Sequence, residues 1–294
     1  MSTNQLFGYQ TIEKQLLENL KLGKLHHALL FSGNKGIGKA SFIKNLAEII
    51  VDNPTNISFE NNPDILLIER DEDKKDITVD LIRKIIDFTN LTSAFSNKRV
   101  VIIDAIDEMN KNSSNALLKI LEEPGKNIFF LLINHNSSRI VPTIKSRCRI
   151  IKLSPPKFED FSRALKLLEP NINLEEIKDL FVISSESIGL ALEFYKQSGL
   201  DLYADFEAII ADDDKIKVSD FLNKISDKNF SWIVLEQVIN LYLITKIKEL
   251  SRSNASLSHI FTVSDQINKL LSEVKNLNSD KKHSVINIIN LLKL

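Results

Sequence analysis

Gly33-Asn34-Lys35-Gly36-Ile37-Gly38-Lys39 is the stretch that decides the fold. It follows the apolar run Ala28 to Phe31 and precedes a helical pattern over Ala40 to Val51, the strand, glycine loop and helix context that a phosphate loop requires. Glycines let such a backbone turn its N–H groups toward phosphates. The helix N-terminus adds its dipole, and Lys39 is placed to reach the outer phosphates. Position 40 departs from the pattern, which takes Ser or Thr so that a hydroxyl can ligate Mg²⁺; Ala40 has no ligand to offer. Ser41 is one residue off, and adjacent helical residues do not share a face. Three readings of the stretch stand side by side: a loop that binds ATP or ADP weakly, a loop that keeps its shape without nucleotide, and a chance match in a glycine turn.

Outward from the loop, the first half alternates short apolar runs with helical patterns. This is the signature of an α/β fold, a parallel sheet covered by helices on both faces. Four strands are expected, at Ala28 to Phe31, Ile65 to Glu69, Val100 to Asp104 and Ile128 to Ile133. Helices are expected at Ala40 to Val51, Val79 to Phe88 and Ser114 to Glu122, the last closed by Pro124. Pro155-Pro156 marks a boundary, and beyond it only helical spacing is found. The division is a phosphate-loop domain over 1–155, a small helical lid over 156–200 and a helical bundle over 201–294, in which Trp232 to Leu250 and Ile267 to Leu277 carry apolar stripes.

The 294 residues suit two or three domains. One cysteine, Cys148, excludes an internal disulfide and suits a reducing cytoplasm. The opening MSTNQLFGYQ lacks a basic and apolar leader and no run approaches a membrane span, so a soluble cytoplasmic protein without membrane contact is expected. A net charge of −1 gives no global signature of a nucleic-acid binder, so DNA contact would be local or shared.

Val100 to Asp104 is an apolar strand ending in an aspartate, where a phosphate-loop protein puts its Mg²⁺-associated carboxylate. An oligomeric ATPase would follow it with a glutamate to polarise water, but residue 105 is alanine. Asp107 and Glu108 come too late and read as a solvated turn. With the hydroxyl at 40 and the carboxylate at 105 both lost, hydrolysis on this chain is not expected.

His26-His27-Ala28-Leu29-Leu30-Phe31-Ser32-Gly33, then Asn115 to Pro124 (NALLKILEEP), then Ser146-Arg147-Cys148, resemble the clamp-loader branch of the AAA+ ATPases. Their ordered spacing covers about the first 150 residues. Within that branch Ala40 and Ala105 resemble the non-hydrolysing delta-prime type rather than the gamma/tau motor. The resemblance implies that Arg147 points into the nucleotide site of a neighbouring subunit as an arginine finger. It implies a hetero-pentamer with gamma/tau and delta subunits, acting with the sliding clamp and primer-template DNA inside the DNA polymerase III holoenzyme, a DNA-directed DNA polymerase and nucleotidyltransferase. It further implies a helical collar from about Leu202, and a lid in which Gly189 stands where the motor has a phosphate-sensing arginine. Asn134 falls at the other sensor position, where it either bonds a phosphate oxygen or caps a turn. Many relatives carry a four-cysteine zinc module, but Val51 to Asn62 has no cysteine, and no metal or required cofactor is expected.

Three other residues have plain readings beside tempting ones. Arg147 without the resemblance would be a surface arginine paired to an acid, worth under about 1 kcal/mol. Cys148 reads as a small buried residue behind it, not a nucleophile. His26 and His27 read as strand-entry residues whose side chains alternate faces and so do not share an ion. The alternative function is a gamma/tau-type ATPase motor, which Ala40, Ala105 and Gly189 all oppose; a small phosphoryl-transfer kinase lacks an acceptor site and a base.

Overall fold

Leu29 and Phe31 pack into one core while Ala28 and Leu30 pack into another, and none exceeds 1% exposure. A strand with no polar face belongs in the middle of a sheet covered on both sides. In this computed structural model the described residues are 8–53, 57–71, 74, 76–95, 97–136, 140–212, 215–227, 230–253, 257–277 and 280–293. The reading of a leaderless N-terminus therefore falls largely outside the described residues, as do 54–56 of the stretch read for zinc ligands.

The elements of the first part run α1 (Gln10–Lys21), β1 (Ala28–Ser32), α2 (Lys39–Ile50), β2 (Ile65–Glu69), α3 (Val79–Asn90), β3 (Arg99–Asp104), α4 (Lys111–Glu122), β4 (Ile128–Asn134), α5 (Pro142–Lys145), β5 (Arg149–Lys152) and α6 (Phe158–Leu168). The strands form one sheet in the order β2-β3-β4-β1-β5, every pair parallel. Side chains alternate faces along each strand. Leu29, Val100, Ile102, Leu131 and Ile133 meet α1 and α2 through Leu16, Phe42, Ile43 and Leu46. Leu30, Val101, Ile103, Phe130 and Leu132 meet α3, α4 and α5 through Ile82, Ile85, Leu117, Leu121 and Ile144.

The four expected strands are present, and β5 is a fifth. It pairs with β1 in the register Leu29↔Arg149 to Ser32↔Lys152. Its sequence Arg-Ile-Ile-Lys is short, charged at both ends and largely exposed, so it lacks the apolar run that betrays an interior strand. α1 also goes beyond the sequence reading. One buried ion pair anchors the α3–β3 connection. Asp64, 0% exposed, accepts from the backbone N–H groups of Ala94 and Phe95 at 2.8 and 2.9 Å and lies 3.7 Å from Nε of Arg99, whose guanidinium donates to the carbonyls of Phe88 and Thr92.

The chain divides into two compact units, the first ending at Pro170 and the second beginning at Asn171. The second is helical among its described residues: α7 (Leu174–Ile183), α8 (Ile188–Lys196), α9 (Gly199–Ala211), α10 (Lys215–Lys224), α11 (Trp232–Arg252), α12 (Ser258–Leu277) and α13 (Lys281–Leu292). Asn173 and Glu176 form a reciprocal capping box at the start of α7. Phe206 packs against Phe221 and Tyr242 at ring separations of 5.7 and 5.6 Å, joining α9, α10 and α11. No described helix is long and apolar enough to cross a membrane.

Candidate functional site

Because all five strands are parallel, their carboxyl ends share one edge, the edge where open α/β sheets hold ligands. The phosphate loop leaves β1 there, Asp104 ends β3 and Asn134 ends β4. The turn is built on Gly36 and Gly38, at φ of 81° and 91°, where side chains are strained, and Gly38 caps α2. Gly33 is held by packing, since a Cβ there would stand 2.4 Å from the carbonyl oxygen of Leu153.

Lys39 is 2% exposed, and its Nζ donates to the carbonyl oxygens of Gly33 at 2.7 Å and Asn34 at 2.5 Å. Burial lowers its pKa to about 8, against the opposing pull of Asp104 and Asp107. The loop is thus closed on its own lysine. Asn134 is fully buried; its Nδ2 donates to Ser32 Oγ at 3.0 Å, and its Oδ1 accepts from the N–H of Asn136 at 3.1 Å. It does cap a turn, and it also ties β4 to β1. A cavity of about 460 Å³ opens beside the loop, lined by Ser32, Gly33, Asn34, Asn134, Lys145 and Lys152 among others.

The donor set for Mg²⁺ is incomplete. Ala40 packs against the first core, Ser41 is exposed, and Ala105 is 3% exposed with no carboxylate to contribute. Asp104 remains, but its Oδ1 lies 3.4 Å from Nε2 of His135. The residues present do not fit a metal held as a phosphate-loop ATPase holds it.

Asp107 and Glu108 lie in a partly solvated turn before α4, as expected, but both have partners there. Asp107 accepts from the backbone N–H groups of His135 and Asn136 at 3.0 and 3.1 Å, so it organises the end of β4. Glu108 accepts from Nε of Arg70 at 2.7 Å. The two histidines are strand-entry residues as expected, with a different ring geometry. His26 and His27 both precede β1, and their rings stack at 4.4 Å instead of alternating faces; His26 Nδ1 accepts from the N–H of Ala28 at 3.1 Å. Burial and the His26 ring lower the pKa of His27.

Arg147 sits in the turn between α5 and β5. Its guanidinium donates through Nη2 to Glu122 Oε1 at 2.5 Å, and through Nη1 to Thr143 O at 3.0 Å and Ser146 Oγ at 3.4 Å. None of these bonds reaches its own phosphate loop. The side chain is 34% exposed. Cys148 is half-buried against the second core, and burial pushes its thiol up to about 11, which disfavours the thiolate at neutral pH. Gly189 is the second residue of α8.

The family described as DNA polymerase III, delta subunit, matches residues 8–157, which is half of the chain. The chain belongs to the DNA polymerase III delta subunit family. Among this family's relatives, a DNA polymerase III subunit delta' of Pseudomonas aeruginosa is 36% identical over 135 residues, 42% of this chain and 41% of that one. A subunit delta' of Buchnera aphidicola is 27% identical over 286 residues, covering 83% and 84%. A subunit gamma from another Buchnera aphidicola is 31% identical over 202 residues, covering 64% and 55%. The chain thus spans about half the length of the first curated relatives it matches. The crystal structure of a DNA polymerase III gamma subunit-related protein of Thermotoga maritima superposes over 95% of this chain and 98% of that one, at a TM-score of 0.56 and 20% identity. The fold is the AAA+ α/β fold with a helical C-terminal part, as the motif resemblance implied.

His135 and Glu122 escaped the sequence reading as site residues. The signal for His135 was its place directly after a strand-end asparagine; for Glu122, its place inside an element already singled out.

Proposed function

We propose that this chain is the delta-prime subunit of a DNA polymerase III clamp loader, acting as a non-hydrolysing stator that supplies Arg147 in trans to a motor subunit. The observation that carries the reading is a contrast of two cations. Lys39 is enclosed by a loop without Mg²⁺ ligands, while Arg147 stands at the surface with no bond to that loop. A guanidinium stays charged and presents planar donors, so it suits stabilising charge that develops on a neighbour's phosphates. In this reading the 1–155 domain presents Arg147, the 156–200 lid carries Gly189 where a motor would sense phosphate, and the 201–294 helices form a collar. The partners are gamma/tau and delta subunits in a hetero-pentamer, with the sliding clamp and primer-template DNA engaged through the complex, in the cytoplasm. The loop residues Gly33, Gly36, Gly38 and Lys39, with Asp104 and Asn134, form a degenerate nucleotide site for which weak ATP or ADP binding is the most that is proposed.

Identity to gamma subunits supports a second reading, a gamma/tau-type motor; Ala40 and Ala105 weigh against it. The two separate in one experiment. The clamp loader is reconstituted with its motor and delta subunits, and DNA- and clamp-stimulated ATPase is compared for wild type and Arg147→Ala, beside the isolated chain. The stator reading expects an inactive isolated chain and a fall of about 10³-fold in the complex with assembly intact. Hydrolysis by the isolated chain, or an unchanged complex, overturns it.

A further inference from the structure

Two sequence elements stand out without an evident reason to occur together, Asn115 to Pro124 and Ser146 to Cys148, and the fold brings them into contact through one bond. Glu122, the last residue of α4, accepts from Arg147 at 2.5 Å, while the neighbouring Glu123 does not take part in that pair. A carboxylate at a helix C-terminus faces the negative end of the helix dipole and gains nothing from the helix itself. An ion pair whose side chains are 49% and 34% exposed also adds little to the stability of the fold. Neither the stability of an exposed ion pair nor the helix dipole therefore accounts for Glu122.

What the pair does achieve is orientation. Glu122 holds one side of the guanidinium and Thr143 O the other, at 3.0 Å, with Ser146 Oγ at 3.4 Å. The two anchors sit on different elements, and both elements are fixed in the same core, α4 by Leu117 and Leu121 and α5 by Ile144. A long flexible side chain is thereby held in one pose before any phosphate arrives, and three hydrogen bonds leave part of its five N–H donors unspent. Fixing a group in its working geometry beforehand lowers the cost of using it.

We infer that Glu122 is a positioning residue for Arg147, holding the guanidinium ready for an oxyanion on a neighbouring subunit. This inference rests on the trans-acting role of Arg147 proposed above. In the reconstituted complex, Glu122→Ala is expected to lower kcat about tenfold with KM for ATP held within about twofold, and to have no further effect in the Arg147→Ala background, as two residues acting through one contact require. Glu122→Gln keeps an acceptor oxygen in place and should recover part of the loss; gel filtration of each variant complex controls for assembly. If Arg147→Ala is deleterious but both Glu122 variants are silent, or if they raise the rate, the positioning role is wrong while the finger stands. If Arg147→Ala is itself silent, the finger reading fails and the positioning role falls with it.

Discussion

Lys39 and Arg147 lie on the same unit, and their surroundings use a cation in opposite ways. Lys39 is buried and spends two of its three N–H donors on carbonyls of its own loop; Arg147 is a third exposed and is braced from two sides without being enclosed. Burial turns a phosphate-loop lysine into a strut that holds its loop closed. Bracing at the surface leaves an arginine usable by something outside the chain. The same α/β domain thus holds one cation enclosed beside an incomplete set of metal ligands and another held open at the surface.

The sharpest way to break that comparison is to alter the arginine without removing its charge. Arg147→Lys should lower the ATPase of the reconstituted complex about 10²-fold, roughly 2.7 kcal/mol, because a point charge cannot keep the two-sided brace. Wild-type rates for that variant would mean that charge alone suffices. On the loop side, Gly33→Ala sets a Cβ 2.4 Å from Leu153 O, and overpacking of this kind should cost about 2–3 kcal/mol in urea unfolding of the isolated chain. An unchanged midpoint would mean that the loop and the β5 end can part freely. The smallest effect is expected for Lys39→Ala, which should leave the ATPase of the complex within about twofold, since the reading gives this loop no catalytic part. A large loss there would reopen the motor reading.

The sequence was most legible where the chain is most buried. Val100 to Asp104 and Ile128 to Ile133 are apolar on both faces, and both are interior strands. β5 was not legible, because an edge strand bearing Arg149 and Lys152 carries no continuous apolar signal. The loop and its missing ligands could be read residue by residue, since a phosphate loop is local in sequence. The partners of Arg147, Asp107 and Asp104 could not, because Glu122, Asn136 and His135 are brought to them only by the sheet and its connections. The stacking of His26 on His27 was not legible for a different reason: both lie just before β1 begins, where the face alternation of a strand does not hold.

The makeup of β5 bears on how the molecule behaves in a crowded solution. A sheet ends where hydrogen-bonding groups stop finding partners, and a long, flat apolar margin invites a second chain to continue it. Here the margin beside β1 is only Arg149–Lys152, with cations at both ends and Ile150 46% exposed between them. Four residues flanked by like charges make a poor template for a like-charged copy of themselves. The strand that follows Arg147 therefore gives the sheet a self-limiting border, one that closes the backbone edge to a further strand while Arg147 beside it stays a third exposed.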